Sequence, residues 1–394
     1  MVLALVGAIA VVALMHAINP WQEPGARVAD TKQYLQMAEQ GVGGARFSSP
    51  FAYRIGFIAL GGATARMLGV SRDHGFAAMA LVGLPLFLVL LYLLGRDLTR
   101  SRLHAGIAVL LVGISFSVGK RLCYNPIDPD TLGLPLTALA SLLALRRRYG
   151  WLTLVTCVGV LGREFVVVPA VAAALTEWRA GALSWRDRRS WWPLAAVAGA
   201  LLIALGLRLA VPVARSTMMV DPFHRETWRN AISLLNSRWI ANDAGAIAAF
   251  LLPVLCLWHV ERAGRRVAAM PRWAVHYALV LFAVTLVAGS DFTRFAAYFA
   301  PLLVILYVLE AADEPVWLQV VLVVLILGAN RIAEPIPPPN KDHWRYIGFA
   351  AFYTHHMDVY TATRVVELIG TVAVYRALRS VSRWWRRDTS PLGG

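Results

Sequence analysis

The chain has 394 residues, 58% of them hydrophobic and 15% charged, and its mean hydropathy is +0.58. Soluble domains average about 45–50% apolar and about 25% charged residues, so these values exclude an ordinary soluble protein and predict a polytopic membrane protein. The net charge of +15 would suit a nucleic-acid partner. The arginines, however, concentrate in short gaps between apolar segments, which is typical of cytoplasmic loops that face anionic lipid rather than of nucleic-acid binding. Three scattered cysteines are too few for a disulfide framework or a zinc site.

The apolar segments begin at the first residue and recur to about residue 377. A membrane span needs about 20 mostly apolar residues, and the segments at 2–18, 75–94 and 191–213 are clear examples. We expect residues 1–18 to be an uncleaved first span, because they lack a basic leader and a small-residue cleavage site.

Charge in the gaps between these segments predicts their orientation. Basic residues in short loops mark the cytoplasmic side, which places five arginine-rich gaps there: Arg96–Arg102, Arg146–Arg148, Arg179–Arg189, Arg262–Arg272 and Arg376–Arg387. The long gaps at 19–54, 214–244 and 331–360 mix both charge signs, and we place them outside.

Counting crossings on this scheme predicts one irregular segment in the N-terminal half. Five apolar segments precede Arg146, yet a cytoplasmic N-terminus requires an even number of crossings. The segment 55–70 is short, rich in glycine and contains Arg66, so we expect it to be half-inserted from the outside, where protein or water can satisfy a broken backbone.

The predicted fold class is therefore an all-α polytopic membrane protein with about twelve transmembrane helices. We expect it to lie in the plasma membrane with both termini on the cytoplasmic side. One transmembrane domain covers residues 1–394. It comprises a first span at 1–18, an outer loop with interfacial and half-inserted helices at 19–74, the remaining spans at 75–377 and a basic tail at 378–394.

Ionisable residues collect on the predicted outer side, where they are functional candidates because charge near a bilayer is costly. The first group contains Asp30 and Tyr34 on a segment that could form an interfacial helix. The alternative is that Asp30 only caps this helix.

The second group lies in a proline-containing turn between two spans and comprises Lys120, Arg121, Asp128 and Asp130. Two cations and two carboxylates within so few residues are unusual for a connector. The alternative is that Asp130 caps the following span while the cations extend to lipid phosphates.

Two further groups are Arg163 with Glu164 and Asp291 with Arg294, each of which could also be a local ion pair. Asp291 and Arg294 are one helical turn apart, so both side chains could point into one cavity. The last outer loop carries His355, His356 and Asp358, which could ligate a metal, although such a group in a solvated loop is more often only polar.

The order of these motifs resembles that of integral-membrane glycosyltransferases of the GT-C superfamily, which include protein O-mannosyltransferases and the aminoarabinose transferases of lipid A. The resemblance rests on Asp30-x-x-x-Tyr34 after the first span, Ser49-Pro-Phe-Ala-Tyr-Arg54, and Asn125-Pro-Ile-Asp128-Pro-Asp130 at the start of a span. Gly162-Arg-Glu164 and Asp291-x-x-Arg294 extend it, while the C-terminal half matches only in architecture.

The resemblance implies a GT-C-like helical bundle and a transfer reaction on the outer face of the membrane. The donor would be a sugar, hexose or pentose, on a polyprenyl phosphate in the membrane lipid, and the acceptor a lipid, a glycan or a protein. Asp30 matches the catalytic aspartate, and a carboxylate there could act as general base. Asp128 or Asp130 matches a second acidic motif that would orient the acceptor, support the base or hold a divalent cation.

Cations on the same side would neutralise the leaving phosphate; the candidates are Arg54, Lys120, Arg121, Arg163 and Arg294, with Tyr34, Glu164 and Asp291 as further substrate contacts. The basic C-terminal tail departs from relatives that end in a large outer domain.

A transporter or flippase of cell-envelope precursors is the alternative function, and a non-catalytic assembly partner is a second one. Against a transporter, the two halves show no evident internal repeat. The Ala-, Arg- and Val-rich composition is typical of GC-rich bacterial genomes.

Overall fold

The computed structural model describes residues 1–21, 29–41, 51–99, 101–181, 191–211, 237–258, 268–288, 292–336 and 359–388, and for a few residues at helix ends only the backbone. Every regular element in these ranges is helical. The helices of the N-terminal half are α1 (Val2–Ile18), α2 (Ala29–Gln40), α3 (Ile55–Leu68), α4 (Arg72–Leu98), α5 (Arg102–Gly113), α6 (Arg121–Tyr124), α7 (Asp130–Leu145), α8 (Tyr149–Gly159) and α9 (Val168–Arg179).

The C-terminal half continues with eight helices: α10 (Trp192–Ala210), α11 (Ser237–Phe250), α12 (Leu252–Leu257), α13 (Arg272–Ala288), α14 (Phe292–Ala296), α15 (Ala300–Glu310), α16 (Val316–Ala329) and α17 (Val359–Asp388). Short helical turns at Phe51–Tyr53, Glu164–Val167, Ala297–Phe299 and Ala311–Asp313 and a π-helical turn at Phe116–Lys120 connect several of them.

Three of the helices that can be described are long and apolar enough to cross a membrane: Arg72–Leu98, Trp192–Ala210 and the continuous run Arg294–Asp313. A fourth crossing results if the bent pair Arg102–Gly113 and Phe116–Tyr124 is one span. Six further apolar helices in the described ranges have only 10–17 residues. The predicted all-α membrane architecture is thus confirmed in its class. Clear spans number three or four in the described ranges, fewer than the twelve expected.

The sequence predicts a broken backbone at 55–70, but the glycines of this segment do not break the helix. They allow α3 to pack closely on α4: a Cβ atom at Gly61 would lie 2.2 Å from the ring of Phe76, and one at Gly75 would lie 2.5 Å from Ala65. Helix α3 is therefore continuous over Ile55–Leu68 and ends at Gly69 in the left-handed conformation, with φ of 64°.

The break occurs instead after α5, where the chain bends by 57° before the π-helical turn. A Cβ atom at Gly119 would lie only 1.9 Å from the carbonyl oxygen of Gly113, so the bend requires glycine at this point. The bend, the π-helical turn and α6 together bring the polar turn at 125–129 to the start of α7. Helix α7 packs in turn against α4, where a Cβ atom at Gly83 would lie 2.5 Å from the carbonyl oxygen of Thr131.

Candidate functional site

Two carboxylates are ordered by the turn between α6 and α7. Asp128 accepts a hydrogen bond from the backbone N–H of Asp130 at 2.9 Å, and its own carbonyl accepts one from the Thr131 hydroxyl at 2.7 Å. Asp128 therefore stabilises the start of α7, which is the role that the sequence alternative gave to Asp130. The side chain of Asp130 is left for other partners, and it is completely buried.

Three arginines from distant parts of the chain converge on this pair. Arg121 contacts Asp128 at 2.5 Å and Asp130 at 3.1 Å, and Arg294 contacts Asp128 at 2.9 Å and Asp130 at 2.8 Å. The Nε atom of Arg163 lies 2.8 Å from Oδ1 of Asp130. We call these five residues the arginine–aspartate cluster. Its three guanidinium groups exceed its two carboxylates by one charge, so it is a buried site of net positive charge.

Sequence reasoning missed a sixth contributor. The hydroxyl of Tyr298 donates to Oδ1 of Asp130 at 2.7 Å, and the Tyr298 ring stacks on Phe165 with a centroid distance of 4.5 Å. Tyr298 follows Arg294 by four residues, which puts both on one face of a helical segment, so this spacing was the available signal. Gly133 makes room for the contact, since a Cβ atom there would lie 2.5 Å from the Tyr298 hydroxyl.

Arg163 and Glu164 are neighbours in sequence but serve different groups. Arg163 reaches the arginine–aspartate cluster, whereas Glu164 pairs with Arg54 at 3.5 Å and keeps 38% of its side chain exposed. Arg54 also donates to the hydroxyl of Tyr34 at 2.5 Å. The alternative of a local Arg163–Glu164 pair is thus replaced by a second polar group, Tyr34–Arg54–Glu164, which joins α2 to the turn that precedes α9.

Helix α2 lies beside the arginine–aspartate cluster. The hydroxyl of Thr31 is 3.4 Å from Oδ1 of Asn125, in the turn that holds Asp128. Burial raises the pKa of the Tyr34 phenol above its ordinary value, although the positive charges of Arg54 and Arg294 oppose this rise. The phenol therefore remains protonated at neutral pH.

The ammonium group of Lys120 contacts the turn that follows α16. Its Nζ atom donates to the backbone carbonyls of Arg331 at 2.6 Å and Glu334 at 2.5 Å, and the side chain is completely buried. Oδ1 of Asn330 accepts a hydrogen bond from the backbone N–H of Phe116 at 3.2 Å. These contacts link the bend to the turn that follows α16, and the expected role of Lys120 as a phosphate contact stays a prediction.

Several predicted residues lie outside what the structure describes. Asp291 and the loop with His355, His356 and Asp358 are in undescribed ranges, and of Asp30 only the backbone is described. That backbone is in the first turn of α2, which begins at Ala29.

The carboxylates of the cluster do not fit a divalent cation as they are placed. All four oxygen atoms of Asp128 and Asp130 already contact a guanidinium, a hydroxyl or a backbone N–H. A metal ion there would compete with these donors and would meet the charge of three guanidinium groups. In the described ranges, no group of three or more His, Cys, Asp and Glu side chains is arranged to hold one.

Comparison with solved structures finds a similar fold in an oligosaccharyltransferase. The crystal structure of the Archaeoglobus fulgidus oligosaccharyltransferase in its apo form matches with a TM-score of 0.51 at 13% identity, over 93% of this chain and 59% of that one. The fold is shared with an oligosaccharyltransferase. The complex of the same protein with zinc and sulfate also gives a TM-score of 0.51, at 14% identity and over 92% and 56% of the two chains.

This chain spans a little under three fifths of the length of the oligosaccharyltransferase. No family model and no curated protein matches the sequence.

Proposed function

We propose that the chain is a GT-C-type glycosyltransferase that takes a hexose or pentose from a polyprenyl phosphate and transfers it to a lipid, glycan or protein acceptor outside a plasma membrane. The observation that carries the proposal is the arginine–aspartate cluster. Three guanidinium groups are held in fixed positions by two buried carboxylates, directly beside the helix that contains Asp30. The shared fold with an oligosaccharyltransferase supports the reaction class.

The arginines suit a phosphate leaving group. When the bond between the anomeric carbon and the phosphate oxygen breaks, negative charge develops on that oxygen, and fixed cations in a site that excludes water stabilise it most strongly. Asp128 and Asp130 hold these arginines in place, and their two negative charges offset two of the three positive charges. One uncompensated positive charge remains to attract the phosphate.

The same geometry argues against Asp128 or Asp130 as the base. A carboxylate that already accepts from two or more donors is a poor proton acceptor, whereas Asp30 lies on a separate helix. In the proposed step the acceptor hydroxyl attacks the anomeric carbon and its proton passes to the Asp30 carboxylate. A glycosidic C–O bond forms, and the polyprenyl phosphate leaves with the electron pair of the broken bond.

The Tyr34–Arg54–Glu164 group is the candidate acceptor or sugar contact. Glu164 presents a partly exposed carboxylate, and the Tyr34 phenol supplies a buried O–H donor. Sugars present many hydroxyl groups, which a carboxylate and a phenol can bind together. Arg208 at the end of α10 covers this region, with its guanidinium 4.9 Å from the centroid of the Tyr53 ring.

Donor turnover by purified protein in detergent tests the proposal. The wild-type chain is incubated with a panel of polyprenyl-phosphate hexoses and pentoses and with membrane extract as acceptor, and release of free polyprenyl phosphate is followed by mass spectrometry. We expect release from at least one donor, and loss of that release in Arg294→Met. Arg146→Met is the matched control, because Arg146 forms only an exposed ion pair with Asp97. If no donor is consumed but labelled lipid crosses reconstituted vesicles, the chain is a transporter instead.

A further inference from the structure

A polar cavity lies away from the arginine–aspartate cluster. It has a volume of about 490 Å³, is open on one side and is lined by α2, α3 and the first residues of α4. Leu35 and Ala65 line its apolar part, and Glu39, Arg66, Arg72 and Asp73 line its polar part. Nothing in the proposed transfer reaction uses these four charged residues.

The charges of this cavity are balanced. Arg72 and Glu39 form an ion pair at 3.2 Å in its lining, and both side chains remain largely exposed, so that a ligand can compete with the pair. The Ser71 hydroxyl hydrogen-bonds the Asp73 carboxylate. Within the described ranges no ion pair involves Arg66, which lies at the end of α3. Two guanidinium groups and two carboxylates therefore line one space, a combination that favours a ligand carrying both charge signs.

The cavity lies at the N-terminal end of α4, a helix long and apolar enough to cross a membrane. Helix α4 has 27 residues and is thus about 40 Å long at about 1.5 Å per residue, whereas the hydrocarbon core of a bilayer is about 30 Å thick. At least one end of α4 therefore projects beyond the hydrocarbon core, and we place the charged end at Arg72 there. Next to the cavity, α3 ends in exposed apolar side chains: Met67 is 86% exposed, and Leu68 and Val70 are exposed as well. A charged cavity beside an apolar surface suits an amphiphile.

We propose that this cavity binds the headgroup of a phospholipid of the phosphoethanolamine type. Arg66 and Arg72 contact the phosphate, Glu39 and Asp73 contact the primary ammonium, and Met67 contacts the acyl chains. A phosphoglycerol headgroup brings no cation for the carboxylates. A phosphocholine headgroup brings a quaternary ammonium that cannot donate hydrogen bonds. The site is therefore selective for phosphoethanolamine, and this inference is independent of the proposed transfer reaction.

Lipid titration of the full chain in detergent, followed by native mass spectrometry, tests the selectivity. We expect phosphatidylethanolamine to bind roughly tenfold more tightly than phosphatidylglycerol or phosphatidylcholine, as the loss of one charge-assisted hydrogen bond implies. Water-soluble glycerophosphoethanolamine should compete only weakly, since it lacks acyl chains. Equal or tighter binding of phosphatidylglycerol would overturn the proposal.

Two variants and a control separate the parts of the site. Arg66→Ala should weaken the binding of phosphatidylethanolamine and phosphatidylglycerol alike, because both carry the phosphate. Glu39→Gln should remove the preference between the two lipids. Arg102→Ala, an exposed arginine at the start of α5, should leave both affinities unchanged. Unchanged binding in Arg66→Ala and Glu39→Gln would show that the lipid binds elsewhere.

Discussion

Neutralising Asp130 perturbs the arginine–aspartate cluster most strongly. In Asp130→Asn, the guanidinium groups of buried Arg163 and Arg294 and of half-buried Arg121 would be opposed by Asp128 alone. The amide nitrogen of the new side chain would face donors instead of accepting from them. Breaking a buried ion pair by removing one partner costs about 3–5 kcal/mol, against a total stability of about 5–15 kcal/mol for a typical protein. We therefore expect Asp130→Asn to give a much lower yield of folded protein and a clearly lower unfolding temperature.

The matched control is Asp97→Asn. Asp97 also forms a two-bond ion pair with an arginine, at 2.6 and 3.1 Å from Arg146, but this pair is exposed. An exposed pair contributes about 0–1 kcal/mol, so this variant should unfold near the wild-type temperature. Combining Asp130→Asn with Arg163→Met removes one of the excess cations and should recover part of the loss.

Unfolding is followed by size-exclusion chromatography of detergent-solubilised protein after heating to a series of temperatures. The reasoning is refuted if Asp130→Asn and Asp97→Asn unfold at the same temperature. It is also refuted if the double variant is less stable than Asp130→Asn, because excess positive charge would then not be the cause of the loss.

Three further predictions concern the supports of the cluster, and the same heating series checks each. Gly119→Ala should prevent folding because its Cβ would lie 1.9 Å from the Gly113 carbonyl oxygen, while Gly106→Ala, with no atom within 4 Å, should be tolerated; equal yields would contradict this. Tyr298→Phe should cost about 1.5–3 kcal/mol, the value of a hydrogen bond to a charged group, and an unfolding temperature like that of the wild type would refute it. Lys120→Met should destabilise the fold by leaving two backbone carbonyls without their donor. Polyprenyl-phosphate donor affinity in the folded fraction should stay unchanged, and a selective loss of that affinity would instead support Lys120 as a phosphate contact.

The sequence predicts the helical class and the main apolar helices well, because hydropathy alone determines them. The segment expected at 75–94 is α4, Arg72–Leu98, and the one at 191–213 is α10, Trp192–Ala210. Glycine is harder to interpret, since the same residue allows both a broken helix and close packing. In 55–70 it allows close packing on α4, and the break lies between Gly113 and Phe116, where the bend brings Gly119 against the Gly113 carbonyl oxygen.

The members of the site could also be predicted in part, but their pairing could not. The sequence identifies Arg121, Asp128, Asp130, Arg163 and Arg294 as candidates. It does not show that Arg294 meets Asp130 across 164 positions, because local spacing contains no information on which distant helices pack together. For the same reason the pattern suggested a local pair for Arg163 and Glu164, whereas Glu164 pairs with Arg54.

The most direct measurement of the central claim is the transfer rate of Asp30→Asn with a defined polyprenyl-phosphate donor and acceptor. Asn is about as good a helix cap as Asp, so the variant should express and unfold like the wild type whether or not Asp30 caps α2, and only the transfer rate tests its role as a base. Loss of a general base should lower transfer by roughly 10²–10⁴-fold. Transfer at the wild-type rate in a stable Asp30→Asn protein would contradict the proposed mechanism.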